Sequence, residues 1–127
     1  MKKLIALLAV VVAAVAIVPT TAQAAPTCGG RAATIVGTAS ADTIVGTPGP
    51  DVIVGRAGAD IIRGRGGRDW ICGGIGADII RGGFGLDHLF GGPGADILRG
   101  GPGRDVIRGG PGFDTCFSPK QAPGCEA

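Results

Sequence analysis

The sequence is short of histidine, of glutamate and of long apolar runs. His88 is the single histidine in 127 residues. With one imidazole there is no His-Glu-x-x-His zinc motif, and no nucleophile stands beside a base, since Ser40 and Ser118 have only His88 to draw on. The chain is therefore expected not to be an enzyme. Four cysteines are present but none forms a Cys-x-x-Cys pair, which argues against structural zinc. Glu126 is the one glutamate among ten acidic residues. The other nine are aspartates at a fixed interval, whereas acids serving only solubility would be scattered.

The one long apolar run, Leu4 to Val18, follows Lys2 and Lys3 and precedes small residues at Ala22 and Ala24. As a helix its fifteen residues would rise about 22 Å, short of the roughly 30 Å hydrocarbon core of a membrane. The expectation is a removable secretory signal over residues 1–24 and no membrane span after its removal. Cleavage takes two of the twelve basic residues and leaves ten against ten acids, so nucleic-acid binding finds no support in a near-neutral exported chain. A secreted, extracellular protein with four cysteines is expected to hold two disulfides. Cys116 and Cys125 are close enough to close a small terminal loop, which leaves Cys28 for Cys72; diagonal linkage to the C-terminal pair is the other arrangement.

What the chain has in abundance is glycine, 26 residues, arranged in a repeat. From Gly37 it reads GTASADTIV, GTPGPDVIV, GRAGADIIR, GRGGRDWIC, GGIGADIIR, GGFGLDHLF, GGPGADILR, GGPGRDVIR and GGPGFDTCF, without an insertion to residue 117. The first position is always Gly and the sixth always Asp; the eighth is Ile or Leu until Cys116. Gly and Pro in the first five positions favour turns and exclude helix. The β-branched residues that follow favour a short strand with its eighth-position side chain on one face.

One such unit cannot bury its single Ile, so units must stack, two to a coil of eighteen residues. Two thin parallel sheets follow. Ile44, Ile62, Ile80, Leu98 and Cys116 enter the interior from one sheet, and Ile53, Ile71, Leu89 and Ile107 from the other. Residues 25–36, with Ala33 where Asp should stand, are expected to form an N-terminal cap; 37–117 form the solenoid and 118–127 a C-terminal cap.

Stacking at about 4.8 Å lines the aspartates into two negative columns, in which neighbouring carboxylates repel by roughly 3.5 kcal/mol at an effective dielectric of 20. Something positive must sit between them. Carboxylates and glycine-flanked carbonyls are hard oxygen donors, and an oxygen-only shell suits Ca²⁺ better than zinc or Mg²⁺.

These units resemble the nonapeptide G-G-x-G-x-D-x-U-x of the repeats-in-toxin (RTX) family, the hemolysin-type calcium-binding repeats. The chain also resembles small secreted bacterial calcium-binding proteins that join an N-terminal signal to such repeats. The resemblance implies an all-β fold, a right-handed parallel β-roll of nine repeats. It also implies Ca²⁺ held between turns by Asp42, Asp51, Asp60, Asp69, Asp78, Asp87, Asp96, Asp105 and Asp114, together with backbone carbonyls of the turns. The units that keep every glycine are the strongest candidates: Gly73, Gly74 and Gly76; Gly82, Gly83 and Gly85; Gly91, Gly92 and Gly94; Gly100, Gly101 and Gly103; Gly109, Gly110 and Gly112. Four gaps on one side and three on the other allow seven ions. The earliest gaps are weakest, since Thr38 and Thr47 replace the second Gly and Ser40 the fourth. In a competing reading, arginines such as Arg68 and Arg104, each directly before an aspartate, neutralise the columns without metal.

So slender a core, with charge in its turns, is expected to be largely disordered without calcium and to fold on binding it. Outside the core, Ile61, Ile79 and Ile97 form one ridge and Arg63, Arg81 and Arg99 another. These ridges suggest a second role, binding anionic cell-envelope polymers once folded. Trp70 falls on an outer face near His88, where packing beneath a cap near Cys72 is expected.

Overall fold

The computed structural model describes residues 24–118 and Cys125. The expected signal, apart from Ala24, and most of the expected C-terminal cap lie outside the described residues. Twelve strands are present among these: β1 (Thr27–Cys28), β2 (Arg31–Ala32), β3 (Ile35–Val36), β4 (Thr43–Val45), β5 (Val52–Val54), β6 (Ile61–Gly66), β7 (Trp70–Cys72), β8 (Ile79–Phe84), β9 (His88–Phe90), β10 (Ile97–Arg99), β11 (Val106–Arg108) and β12 (Thr115–Phe117). They build two five-stranded sheets, in the orders β12-β10-β8-β6-β4 and β11-β9-β7-β5-β3, and β1 and β2 form a separate hairpin. Within each large sheet every strand pairs in parallel with the strand eighteen residues away; Ile62 lies opposite Ile80, and Ile71 opposite Leu89. The chain is therefore an all-β parallel solenoid with two repeats to a coil, as the period predicts.

Each strand is short because Gly and Pro end it, and the alternation along it decides the core. In β10 the middle residue, Leu98, is fully buried between exposed Ile97 and Arg99. The buried cluster is Ile44, Ile53, Ile62, Ile71, Ile80, Leu89, Leu98 and Ile107, with Ile35, Cys116 and Cys125 packed at its ends. Each such side chain contributes about 1.5–3 kcal/mol by leaving water, and truncation of a central one such as Ile80 to Ala costs about 2–5 kcal/mol.

Two features depart from a simple repeat. β6 and β8 run on into the next turn, where Arg65 pairs with Gly83 and Gly66 with Phe84. At the N-terminus β3 continues the sheet, but the residues before it leave the repeat frame and form the antiparallel β1–β2 hairpin. That hairpin folds back over β5 and β7. Cys28 is thereby brought to Cys72, and these two form a disulfide, as do Cys116 and Cys125. The outer residues beneath the hairpin form a stack: Trp70 lies on His88 with ring centroids 4.0 Å apart, and the Arg31 guanidinium sits 4.7 Å from the Trp70 ring.

Candidate metal centre

Sixth-position aspartates form two files along the edges of the solenoid, one from Asp42 through Asp60, Asp78 and Asp96 to Asp114, the other from Asp51 through Asp69 and Asp87 to Asp105. Adjacent coils are tied by one carboxylate oxygen: the backbone N–H of Asp60 donates to Oδ1 of Asp78 at 2.8 Å, and that of Asp69 to Oδ1 of Asp87 at 3.0 Å. The same bond recurs at all seven steps of the two files. Packed inward against the turns, Asp69, Asp78 and Asp87 are 0% exposed.

The other oxygen has no such partner. Oδ2 of Asp60, Asp69, Asp78, Asp87, Asp96 and Asp105 is buried and accepts no hydrogen bond. The nearest available donor is engaged elsewhere: the N–H of Gly74 goes to the Gly91 carbonyl at 3.0 Å, that of Gly83 to Gly100 at 2.9 Å and that of Gly92 to Gly109 at 2.8 Å. Five of these six oxygens, all but that of Asp105, also share their space with a carbonyl of the next coil. A Cβ on Gly73 would strike both Asp78 Oδ2 and the Gly91 carbonyl oxygen, and one on Gly82 both Asp87 Oδ2 and the Gly100 oxygen. The first glycine of each unit from Gly37 to Gly91 thus leaves a cradle walled by a carboxylate and a carbonyl, both electron-rich.

A buried, unpaired anionic oxygen costs several kcal/mol unless its charge is met or removed. Desolvation raises the carboxyl pKa of Asp69 and Asp78 to about 6 and that of Asp87 to about 7; the coil-to-coil hydrogen bond opposes this, and neighbouring aspartates add to it. Asp60, Asp96 and Asp105 are raised for the same leading reason. Arginine does not supply the missing charge. Among the described residues no Arg forms an ion pair with any Asp, and Arg68 and Arg104 are exposed at the turns. The metal-free, arginine-neutralised solenoid is therefore not the arrangement seen.

Two aspartates are met differently. Thr38 gives Asp42 its backbone N–H at 2.6 Å from Oδ2, with Oγ1 2.9 Å from Oδ2 and 3.0 Å from Oδ1. Thr47 does the same for Asp51 at 2.7, 3.1 and 3.0 Å. Their hydroxyls also accept the N–H of Ser40 and Gly49, both at 3.2 Å, which closes a local Thr turn. Sequence reasoning treated Thr38 and Thr47 only as lost glycines; a Thr four residues before the Asp was the signal for a donor.

The remaining glycines serve coil stacking. Gly74 has φ 102° and Gly76 φ 132°, and a Cβ on either would meet the Arg56 or Gly58 carbonyl of the preceding coil. Stacking alone thus accounts for glycine in the turns, and the case for a cation rests on the orphaned oxygens. Among the described residues no three His, Cys, Asp or Glu side chains converge. The donor set that fits the cradle is one or two carboxylates plus carbonyls, an oxygen-only set that suits a hard cation.

Comparison with known proteins agrees with this chemistry. The family model for the RTX calcium-binding nonapeptide repeat (4 copies) matches residues 29–49, 36–71, 45–80 and 81–116. No curated protein matches the chain. Among solved structures, the chain is similar to the AlgE6R3 subunit from the Azotobacter vinelandii mannuronan C5-epimerase, at 30% sequence identity and a TM-score of 0.50 over 65% of this chain. It spans about half, 51%, of that chain's length.

Proposed function

The chain belongs to the family of RTX calcium-binding nonapeptide repeats, and on that premise we propose that it is a secreted, extracellular calcium-binding protein, without catalytic activity of its own, that folds as it takes up Ca²⁺. The observation that carries this reading is the run of buried carboxylate oxygens without a donor, those of Asp60, Asp69, Asp78, Asp87 and Asp96 each beside a carbonyl of the next coil. The residues that would hold the ions are Asp60, Asp69, Asp78, Asp87 and Asp96, with the carbonyls of Gly73, Gly82, Gly91, Gly100 and Gly109 one coil on. Calcium would supply two positive charges to each gap and remove the repulsion along the file. Of seven gaps, the two headed by Asp42 and Asp51 are closed by Thr38 and Thr47, which leaves five.

Folding and binding are coupled in this reading because coils cannot stack at about 4.8 Å while facing carboxylates stay charged and unpaired. A circular dichroism titration of the mature chain tests it. Chelator at neutral pH is expected to abolish most of the β signal and Ca²⁺ to restore it. An unchanged spectrum in chelator overturns the coupling. The placement of residues 1–24 as a removed signal is tested by the N-terminus of the protein recovered from culture medium, expected at Ala25.

A further inference from the structure

The solenoid keeps its two kinds of charge apart. Aspartates are drawn into the turns, while Arg63, Arg81 and Arg99 stand exposed on the sheet formed by β4, β6, β8, β10 and β12, each directly opposite the next in register. Three like charges one strand spacing apart, about 4.8 Å, repel one another. No carboxylate pairs with any of them among the described residues. The other large sheet carries the β1–β2 hairpin and the Trp70–His88 stack, so among the described residues the arginine face is the one left open.

Two residues before each arginine, on the same face, lies an isoleucine. Ile61 and Ile97 are 40% and 43% exposed, and Ile79 lies between them in register. Each of the three strands β6, β8 and β10 therefore offers one guanidinium and one apolar side chain side by side. At the end of the ladder Phe117 covers Arg99, with the guanidinium 5.2 Å from the ring, beside an open pocket of about 410 Å³ that both residues line.

We infer that this face binds a linear acidic glycan whose repeating units carry carboxylates, a polyuronate, lying along the solenoid axis. The guanidinium forks match carboxylates, and the apolar ridge matches the CH faces of the sugar rings. A nucleic-acid strand would ask for aromatic platforms interleaved with the basic side chains, and this sheet offers among the described residues only Phe117 at the end of the ladder and Phe84 at the end of β8, neither of them between the arginines. The inference rests on the calcium reading only in that the face exists once the coils are stacked.

The test uses the mature chain folded in Ca²⁺ and a fluorescent oligogalacturonate too short to gel with calcium. Wild type is expected to bind it in a salt-sensitive way and to ignore its methyl ester. Combined Arg63→Gln, Arg81→Gln and Arg99→Gln should weaken binding at least about tenfold, the loss of roughly one good charge-assisted contact or more. Combined Arg56→Gln, Arg68→Gln and Arg104→Gln removes the same charge from the turns and should leave binding within about threefold. Equal losses in the two variants, or equal wild-type affinity for duplex DNA or phosphatidylserine vesicles, overturn the proposal. Circular dichroism and calcium uptake, read on the same samples, separate the two readings. A chain that folds with Ca²⁺ and ignores the glycan sinks this surface alone, and a chain that never responds to Ca²⁺ sinks the function it rests on.

Discussion

The coil at residues 37–54 and the coils that follow it share one repeat, one register and one inward eighth-position side chain per strand, yet they treat the same aspartate in two ways. In the first coil a threonine four residues earlier folds over the carboxylate and donates from both backbone and hydroxyl. In the later coils the residue there, Arg56 and Arg65 in residues 55–72 and glycine beyond them, has positive φ; the N–H of Gly74, Gly83 and Gly92 turns to the next coil, and one carboxylate oxygen is left bare on each aspartate from Asp60 to Asp105. The aspartate alone therefore does not fix whether its Oδ2 finds a donor. The second residue of the unit decides whether the charge is met from within the chain, and under the calcium proposal the unmet charges are those left for an ion.

The largest effect that can break this contrast is removal of one central aspartate. Asp78 faces two gaps, through Oδ1 toward Asp60 and through Oδ2 toward the Gly91 carbonyl. Asp78→Asn should lower the calcium count in native mass spectrometry from five to three, five less two, and weaken overall affinity more than about tenfold. An amide there donates to the carbonyl that the carboxylate opposed, so the calcium-free form should not lose stability. Asp42→Asn should leave the ion count at its wild-type value. Equal effects from the two substitutions would erase the distinction between the coils.

Protons offer a second way to neutralise the later coils. A carboxyl whose folded pKa is raised from 3.8 to about 6 or 7 holds its proton more tightly in the folded state. That contribution to stability is complete below the unfolded value and is lost as pH rises through about 6 to 7. In calcium-free buffer the chain should therefore gain β signal as pH falls from 7.5 toward 4.5, while apparent calcium affinity falls over the same range because protons compete for the same oxygens. A calcium-free chain equally unfolded at both pH values would show that charge in the files is not what keeps the coils apart.

Transplanting one turn into the other sharpens the comparison. Thr38→Gly with Thr47→Gly strips Asp42 and Asp51 of their donors and gives them the composition of the later units. The variant should bind two further ions, and each lost turn should cost about 1 kcal/mol or somewhat more in calcium-free conditions. Isothermal titration and denaturant melts read the two halves of this expectation. A variant that binds no additional ion would place the limit on the first coil elsewhere than in its threonines.

Much of this was legible in the letters. The nine-residue period fixed the sheet assignment of every strand from Thr43 to Phe117, and the eighth position named the buried cluster, because spacing and alternation are local and leave few ways to stack. The cysteine spacing also favoured Cys28 with Cys72, the pair that the structure joins. The β1–β2 hairpin was not legible: Cys28 to Ala33 scans as one more degenerate repeat, and only the tertiary pull of the disulfide and the Trp70 face turns it into an antiparallel arm. The division of the aspartates was hidden for a different reason. Whether an N–H meets its own carboxylate or the next coil's carbonyl depends on the sign of one φ angle, which composition suggests but does not determine.

The smallest expected effect concerns the coil in between. Residues 55–72 have later-type turns, but Arg56 and Arg65 occupy the second position with φ 82° each, a backbone conformation in which a side chain costs about 1–2 kcal/mol relative to glycine. Arg56→Gly and Arg65→Gly should each raise the stability of the calcium-loaded protein by up to about 1 kcal/mol, a Tm increase of about 4–8 °C in a domain of this size. The gain is partly offset by the greater freedom glycine gives the unfolded chain. Both arginines are exposed and unpaired among the described residues, so no contact is lost. The ion count should stay at five, because the orphaned oxygens of Asp60 and Asp69 do not depend on those side chains. If instead either variant lowers Tm, the arginine is doing something at the turn beyond tolerating its backbone, and the two-way division between threonine turns and glycine turns would need a third class.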